Sequence, residues 1–337
     1  MKKRVLITGA GGFIGGFIAE ESLRRGYETW AAIRKTTSRK YLKDNRIRFV
    51  ELDLDNNDSA TTAELLRCAL PKNEKWDYIV YNLGATKCTN FADFNRINNE
   101  HLKSFIEALN ISGQIPEKFL FMSSLSVLGP GDENSYTPFS SSSIPAPNTK
   151  YGVSKLKAEM SLAMSNMPYI IFRSTGVYGP REQDYYLMFK SIKKGFDFSV
   201  GYKKQLLTFI YVEDLTRGIF DALEKAEIGK TYIASEERAY TQKEFRSIVA
   251  QELGKKIVIP MTMPLWIVYL VSLIAEKWGV LRMKPSTLNR DKFNIMKQRN
   301  WSVDISDAKK DFGFNPTTNL KEGVRLSIAW YKENKWL

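Results

Sequence analysis

The chain has 337 residues, 43% of them hydrophobic and 26% charged, which is ordinary composition for one large or two smaller globular domains. Its two cysteines form no CxxC spacing, and it has a single histidine, His101. This composition excludes a disulfide framework and a multi-histidine metal centre, and we expect a cytoplasmic protein without a bound metal.

The net charge of +13 favours anionic partners. Residues 255–310 hold eleven lysines and arginines against four acidic residues, so much of the excess lies in one segment. The sequence contains no helix-turn-helix signature and no aromatic-interleaved RNA motif. We therefore expect a small-molecule substrate and no nucleic acid.

Short β-rich runs alternate with helical patterns along the first half of the chain. Strands are predicted at 4–8, 28–33, 47–52, 78–83, 118–124 and 169–175. Helices are predicted near 13–25, 59–69, 95–111 and 151–165. The alternation predicts an α/β fold built on a Rossmann-type doubly wound parallel sheet. Such sheets bind ligands beyond the carboxyl ends of their strands.

The first strand runs into a glycine-rich turn, "VLITGAGGFIGG" at 5–16. Glycines interrupt the apolar residues, which excludes a secretory signal peptide. Gly9 permits a tight turn, Gly12 lets the backbone approach a pyrophosphate, and Gly15 lets the helix lie close to the strand. The helix amino terminus, at Phe13 and Ile14, offers free N–H groups to an anion. The setting favours a phosphate cradle over a plain turn.

The second strand ends in "AAIRKTTSRK", which places Arg34 and Lys35 where an NAD enzyme usually has a carboxylate. An arginine can pair with the 2′-phosphate of NADP, whereas a carboxylate would repel it. These residues favour NADP, with NAD as the weaker candidate. The alternative interpretation is a solvated basic loop.

Two further segments carry residues suited to proton transfer. Tyr151 and Lys155 of "YGVSK" share one helix face at i and i+4 spacing. A nearby ammonium brings the pKa of a phenol toward the working range. Such a pair also arises by chance, but Ser123 and Ser124 end a predicted strand, where a hydroxyl could hold a substrate carbonyl.

The pattern loosens after residue 180. We predict a smaller, mostly helical C-terminal substrate lobe from 181–205 and 236–310, beside an NADP-binding domain over 1–180. The segment 206–235 and a final helix at 320–334 are expected to return to that domain. A helix at 241–254 has a threonine cap and a glycine stop.

An uncharged run, "IVIPMTMPLWIVYLVSLIA" at 257–275, approaches the length of a membrane span. Pro260 and Pro264 divide it, so we predict a helix of about twelve residues over 264–275, too short to span a bilayer. Three interpretations remain, in order of preference. The segment is an ordinary helix of the lobe, a helix that also touches a membrane surface, or a true membrane span. The surface contact would involve 264–284, where aromatic and basic residues flank the helix. These residues are Trp266, Lys277, Trp278, Arg282 and Lys284.

Together these motifs resemble the extended short-chain dehydrogenase/reductase superfamily, the NAD-dependent epimerase/dehydratase group, over nearly the whole chain. The motifs are "TGAGGFIG", Asp53-Leu54, "LGAT", "SSLSVLG", "YGVSK", "RSTGVYGPR" and "FIYVEDL". The resemblance implies that Tyr151 is the catalytic acid/base, Lys155 holds the nicotinamide ribose and Ser124 polarises the carbonyl. It also implies cofactor contacts from Asp53, Leu54, Leu83, Gly84 and Ala85, and a structural role for Asn98. Members often dimerise through helices that correspond to 98–111 and 151–165, so we expect a homodimer.

Two departures from the sugar-nucleotide branches concern the substrate. Gly176 stands where many epimerases and dehydratases carry a diphosphate-binding asparagine, and Leu125-Ser126 stands where dehydratases carry Asp-Glu. These features are similar to the dihydroflavonol-reductase and 3β-hydroxysteroid-dehydrogenase-like branch, which acts on apolar ring alcohols and ketones. The expected substrate contacts are Ser126, Thr175, Gly176, Val177, Tyr178 and Arg181. The alternatives are a nucleotide-sugar 4-epimerase with tightly bound NAD and a non-catalytic NADP(H) sensor or assembly protein.

Overall fold

The computed structural model describes residues 2–282, 286 and 288–337. Its strands are β1 Arg4–Thr8, β2 Glu28–Ile33, β3 Arg48–Glu51, β4 Tyr78–Tyr81, β5 Lys118–Ser124, β6 Tyr169–Ser174, β7 Gly176–Tyr178, β8 Phe196–Val200, β9 Leu206–Tyr211, β10 Lys230–Ala234, β11 Ala239–Thr241 and β12 Ile259–Met263. Its helices are α1 Phe13–Arg24, α2 Ser59–Cys68, α3 Phe91–Asn95, α4 His101–Ser112, α5 Lys150–Ala163, α6 Asp184–Lys193, α7 Val212–Lys225, α8 Gln242–Glu252, α9 Leu265–Leu281, α10 Arg290–Met296, α11 Ser306–Phe312 and α12 Leu320–Glu333. A π-helical turn, Arg96–Glu100, joins α3 to α4, and a 3-10 turn, Leu125–Val127, follows β5.

Seven parallel strands form the main sheet in the order β10-β6-β5-β4-β1-β2-β3. Side chains alternate across it, so Val5 and Ile7 of β1 join a core with α1, α7 and α11. Leu6 joins the opposite core with α2, α4 and α5. Helices therefore cover both faces, and the Rossmann-type prediction is confirmed.

The main sheet has its topological switch point between β1 and β4. The chain leaves β1 for β2 and β3 on one side and continues from β4 to β5 and β6 on the other. Crossovers in opposite directions open a crevice at the carboxyl ends of β1 and β4. Thr8, which aligns with Tyr81 at this edge, accepts hydrogen bonds from the amides of Asn82 and Leu83 at 3.1 and 3.2 Å. These two hydrogen bonds fix the backbone after β4 against the end of β1.

The rest of the chain adds two small sheets, one of β11, β9 and β7 and one of β12 and β8. α12 packs in an aromatic core with residues of α6, α8 and β9. The Tyr331 hydroxyl of α12 also donates to the carbonyl of Gly179, at 3.0 Å. α7 and β10 lie with the main sheet, whereas β9 pairs with β7. The predicted division into two domains stays a prediction.

α9 differs from the helix predicted over 264–275. It runs from Leu265 to Leu281, and Glu276, the first charged residue after the apolar run, is paired with Arg290 at 2.7 Å. Among the described residues, no helix has both the length and the apolarity needed to cross a membrane. Residues 283 and 284 of the predicted membrane segment lie outside the described residues.

A buried carboxyl in the lobe makes stability depend on pH. Glu236 is 4% exposed, and burial raises its pKa to about 8 although Tyr240 and the Leu320 amide lower it. The folded protein therefore keeps this proton at pH values where the unfolded chain has lost it. The free energy of unfolding should fall by about 3 kcal/mol as pH rises from about 5 to 8.

Glu236→Gln should remove this part of the pH dependence and raise the Tm at pH 8 relative to the native protein. Thermal melts between pH 5 and 9 measure it. Glu237→Gln is the matched control. The Glu237 side chain, next in the chain, is 75% exposed, so this substitution should leave the profile unchanged. Parallel profiles for Glu236→Gln and the native protein would contradict the assignment.

Candidate functional site

The glycine turn after β1 has no room for side chains. Gly9 has φ +65°, and a Cβ there would lie 2.8 Å from the carbonyl oxygen of Asn82. A Cβ on Gly15 would lie 2.2 Å from the Gly9 carbonyl oxygen, so α1 can approach the turn only with glycine at this position. Gly12 begins α1 without a side-chain cap. The first N–H groups of α1, at Phe13, Ile14 and Gly15, therefore face the crevice as anion donors.

The loops after β2 and β3 lie together at one end of the crevice. Arg34 is 58% exposed, and its guanidinium lies 3.5 Å from the carboxylate of Asp55. Asp55 also pairs with Arg96 and lies 3.3 Å from His101. Burial lowers the pKa of His101, and Arg96 lowers it further. The sole histidine thus belongs to this charged cluster.

Three further residues were predicted at this end of the crevice, and two of them, Asp53 and Leu54, have structural contacts. Asp53 accepts hydrogen bonds from the Asp55 amide at 3.2 Å and the Asn56 side chain at 2.8 Å, which shapes the loop after β3. Leu54 packs at the edge of the core with Leu83. Lys35 is exposed beside Arg34. Arg34, Lys35, Asp53 and Leu54 therefore all lie in the loops that follow the neighbouring strands β2 and β3.

Asn98 fixes the segment after β4. Its side chain accepts from the Ala85 amide at 2.8 Å and donates to the Ala85 carbonyl at 3.1 Å and to Ser154 of α5 at 2.9 Å. A Cβ on Gly84 would lie 2.9 Å from this side chain and 3.0 Å from the Lys155 Nζ. Asn98 lies in the π-helical turn, a feature often found at functional sites.

The two serines at the end of β5 point in opposite directions, as a strand requires. Ser123 is buried and donates to Glu159 at 2.5 Å, which also holds Arg173 at 2.7 Å. Ser124 faces the other way, accepts from the Ser126 amide at 3.2 Å and lies near enough to the Tyr151 phenol to lower its pKa. Of the two serines, Ser124 is therefore the one on the side of Tyr151, and Ser123 belongs to the core.

Tyr151 and Lys155 lie on the inner face of α5. Burial raises the pKa of Tyr151, and the hydrogen bond with Ser124 lowers it. Burial lowers the pKa of Lys155 to about 8, with Glu159 opposing that shift. The Lys155 ammonium donates to the Met122 carbonyl at 2.8 Å and lies 4.8 Å from the centre of the Phe121 ring. Ser124, Tyr151 and Lys155 thus meet at one edge of the crevice.

α10 holds the start of α5. Both oxygens of Asp291 accept hydrogen bonds, from the Lys150 amide at 3.0 Å and the Tyr151 amide at 2.9 Å. Thr149 caps the next free amide, that of Gly152, at 2.9 Å. The position of Tyr151 is therefore set by a carboxylate that lies 140 residues later in the chain.

Charged side chains link the rim of the site. Asp184 of α6 lies 2.5 Å from Lys87 and 3.7 Å from Lys292 of α10. Cys88 is buried beside this rim, and burial raises the pKa of its thiol to about 11. That thiol is protonated at neutral pH and is no nucleophile. Sequence patterns gave no signal for these pairs, because each joins residues far apart in the chain.

The predicted substrate contacts divide into two groups. Ser126, Gly176 and Val177 are half-buried, and a Cβ on Gly176 would lie 2.2 Å from the Tyr185 hydroxyl. A phenol therefore stands where an asparagine side chain would extend in the sugar-nucleotide branches. Sequence reasoning missed Tyr185, whose position is visible only once α6 is packed on β7.

The other three predicted contacts have structural partners. Thr175 bonds to the Ala234 carbonyl at 3.2 Å, and Tyr178 is buried against α12. Arg181 pairs with Glu20 at 2.7 Å and stacks on Phe17. These contacts give no support to a substrate role for the three residues. Within the described ranges, no group of histidine, cysteine and acidic residues has the geometry of a metal site.

The crevice fits a dinucleotide. The glycine positions that a Cβ would block, the uncapped start of α1 and the buried ammonium of Lys155 lie along one continuous edge of the sheet. The first two suit a pyrophosphate and the third a ribose hydroxyl. This donor set defines a nicotinamide-dependent enzyme of the short-chain dehydrogenase/reductase class.

The model of the NAD dependent epimerase/dehydratase family matches residues 5–234. The chain belongs to this family, and the predicted resemblance is confirmed. Two relatives are named for lipid substrates. The ceramide reductase of Caulobacter vibrioides is 21% identical, with 99% of this chain and 96% of that protein covered. The sterol-4-alpha-carboxylate 3-dehydrogenase (decarboxylating) of Dictyostelium discoideum is 24% identical, with 96% and 99% covered.

A solved structure shares the fold. The UDP-glucuronic acid 4-epimerase of Bacillus cereus, in complex with NAD, has a TM-score of 0.76 and 20% identity, with 98% of this chain and 99% of that chain covered. The family is therefore one of nicotinamide-dependent enzymes, with oxidoreductases and epimerases among the relatives.

Proposed function

We propose that the protein is an NADP-preferring oxidoreductase that interconverts a carbonyl and a secondary alcohol. The observation that carries this proposal is the convergence of Ser124, Tyr151 and Lys155 beside the glycine cradle. A pure binding protein would not need this proton-transfer set, which argues against the sensor or assembly alternative.

The residues divide the chemistry between them. A bound nicotinamide would exchange a hydride with the substrate carbon. Ser124 orients the substrate oxygen by a hydrogen bond, and Tyr151 gives that oxygen a proton during reduction or takes it during oxidation. Because burial raises the pKa of Tyr151, its phenol carries the proton at neutral pH, as reduction requires. Lys155 remains mostly protonated below its pKa of about 8 and supports the charge that forms on the phenol.

The proposed preference for NADP rests on Arg34. It is exposed at the end of β2, and its carboxylate partner Asp55 is shared with Arg96 and His101. A 2′-phosphate would therefore find a guanidinium that is only partly neutralised.

Arg34→Ala should weaken NADPH binding about tenfold or more and change NADH binding by less than about twofold, since a charge-assisted hydrogen bond contributes roughly 1.5–3 kcal/mol. Fluorescence titration with both cofactors measures this, and Arg46→Ala is the matched control because its exposed side chain pairs locally with Asp44. Equal affinities of the native protein for NADPH and NADH would overturn the preference.

The proposed substrate is an apolar ring or lipid alcohol or ketone. Tyr185 fills the space beside Gly176 that a diphosphate-binding side chain would use, and two relatives are named for a ceramide and a sterol. A panel of steroid, flavonoid and long-chain ketones, followed by NADPH oxidation at 340 nm, tests it.

A nucleotide-sugar 4-epimerase is the second candidate, because an epimerase has the same fold. It would retain NAD through purification and turn over a UDP-sugar without net consumption of cofactor. Release of NAD on denaturation together with that turnover would favour the epimerase over the reductase.

A cytoplasmic homodimer is the remaining part of the proposal. Met160 of α5 and Met164, which caps its end, are 56% and 86% exposed, and we expect this helix at the dimer interface. Light scattering of the purified protein tests the mass.

A further inference from the structure

α9 has an inverted arrangement of polar and apolar side chains. A surface helix normally buries its apolar stripe and exposes its polar one. Here Ser272 is fully buried, bonded to the Val268 carbonyl at 2.6 Å, and the Glu276 side chain is 16% exposed and paired with Arg290. Ser272 and Glu276 of α9 thus face the protein.

The opposite side of α9 presents large apolar residues to solvent at intervals of three or four. We call this stripe the outer face of α9. Its members are Trp266 (66% exposed), Leu270 (48%), Ile274 (60%), Trp278 (55%) and Leu281 (81%). Leaving five large apolar side chains in water is unfavourable, so the stripe is built for contact with another apolar phase.

The small sheet that leads into α9 continues this character. β8 and β12 are parallel, with Phe196 opposite Ile259 and Phe198 opposite Met261. All four side chains are between 39% and 55% exposed. Paired residues of neighbouring strands share one side of a sheet, so these four form a second apolar patch.

Basic residues surround both patches. Lys193 and Lys194 precede β8, and Lys255 and Lys256 precede β12, so four exposed lysines meet at the amino edge of the small sheet. At the other end, Lys277 is exposed and Arg282 stacks over the Trp278 ring at 4.7 Å. Apolar side chains with tryptophan at both ends and cations around them match the interface of an anionic bilayer.

We propose that the outer face of α9, flanked by the β8–β12 patch, docks the protein onto an anionic membrane surface. α9 then lies in the plane of the interface with its apolar stripe among the acyl chains and the surrounding lysines at the lipid headgroups. Positive charge around the two patches favours this partner over a second copy of the same face, which would bring like-charged lysines together.

Docking would place the membrane close to the reaction site. Tyr269 of α9 contacts Phe293 of α10 at 5.4 Å between ring centres, and Asp291 of α10 binds the Tyr151 amide. An apolar substrate could therefore leave the bilayer near the helix that carries the acid/base. The docking itself does not depend on the proposed oxidoreductase activity, because it rests on surface residues alone.

Flotation with lipid vesicles tests the proposal. The native protein should float with vesicles of phosphatidylcholine and phosphatidylglycerol at 3:1 and bind vesicles of phosphatidylcholine alone at least fivefold less. Ile274→Glu should lower the bound fraction at least tenfold. Ile228→Glu is the matched control, because Ile228 is also exposed, at 55%, but lies in the turn between α7 and β10, and it should float like the native protein.

Two further measurements make the result decisive. Lys255→Glu with Lys256→Glu should lower binding to the anionic vesicles and leave the Tm unchanged. Light scattering of the native protein and Ile274→Glu should give one mass. Absence of flotation by the native protein, equal flotation by Ile274→Glu, or a mass that halves in Ile274→Glu would each overturn the proposal, the last in favour of self-association.

Discussion

Tyr151→Phe should lower kcat by about 100- to 10,000-fold, the range that a positioned general acid contributes. Phenylalanine keeps the ring, whose centre lies 6.0 Å from that of Phe94, but removes the hydroxyl beside Ser124. The substrate oxygen then loses its proton donor while the glycine cradle is untouched. Initial rates of NADPH oxidation with the best ketone of the panel measure the effect.

Cofactor affinity separates this effect from a folding defect. The Kd for NADPH in Tyr151→Phe should stay within about twofold, because Lys155 and the glycine turn remain in place. Tyr169→Phe is the matched control, since this tyrosine begins β6 at the opposite edge of the sheet. Unchanged turnover in Tyr151→Phe would remove the phenol from the mechanism.

Gly15→Ala has the second large expected effect. The added Cβ would lie 2.2 Å from the Gly9 carbonyl and 2.7 Å from the Cα of Ala10, both backbone atoms that cannot rotate away. Either α1 moves away from the turn or the turn changes shape. Overpacking of this kind costs roughly 1–3 kcal/mol, and here it also moves the N–H groups that face the phosphates.

The readouts are the Tm and the Kd for NADPH. We expect a lower Tm and an affinity reduced by about 100-fold or more, comparable to the loss of two charge-assisted hydrogen bonds. Gly16→Ala is the matched control, because its Cβ would lie 3.4 Å from a movable arginine side chain. If both variants bind NADPH like the native protein, the turn is no phosphate cradle.

The fold of the first half of the chain was predictable because its information is local. β1, β2 and β5 have the predicted bounds, since each is a continuous apolar run between turn residues. The helix predicted at 95–111 differs, because it begins with α3 at Phe91 and passes through a π-helical turn. Asn98 lies in this turn, and apolar periodicity does not predict a π-helical turn.

The lobe was harder to predict because its elements depend on partners far along the chain. Apolar periodicity assumes that the apolar side of a helix is buried, and α9 violates this assumption. The helix ends at Leu281, beyond Glu276, a charged residue that is paired with Arg290 of α10. Only packing reveals such pairs.

The candidate site shows the same division. The glycine turn, Ser124, Tyr151 and Lys155 lie within short motifs, so the sequence alone predicted them as a set. Tyr185 and Asp291 act through contacts across the lobe, and neither belongs to a recognisable spacing. Thr175 and Arg181 lie in a motif as well, yet their side chains are bonded elsewhere.

The carboxylate that caps α5 bears on the order in which the protein matures during synthesis. The main sheet, apart from its edge strand β10, is encoded before residue 180, so its folding can begin while the ribosome is still translating the lobe. Tyr151 gains its Asp291 cap only after α10 has emerged. A nascent chain would thus form its glycine turn well before the position of Tyr151 is fixed by the lobe.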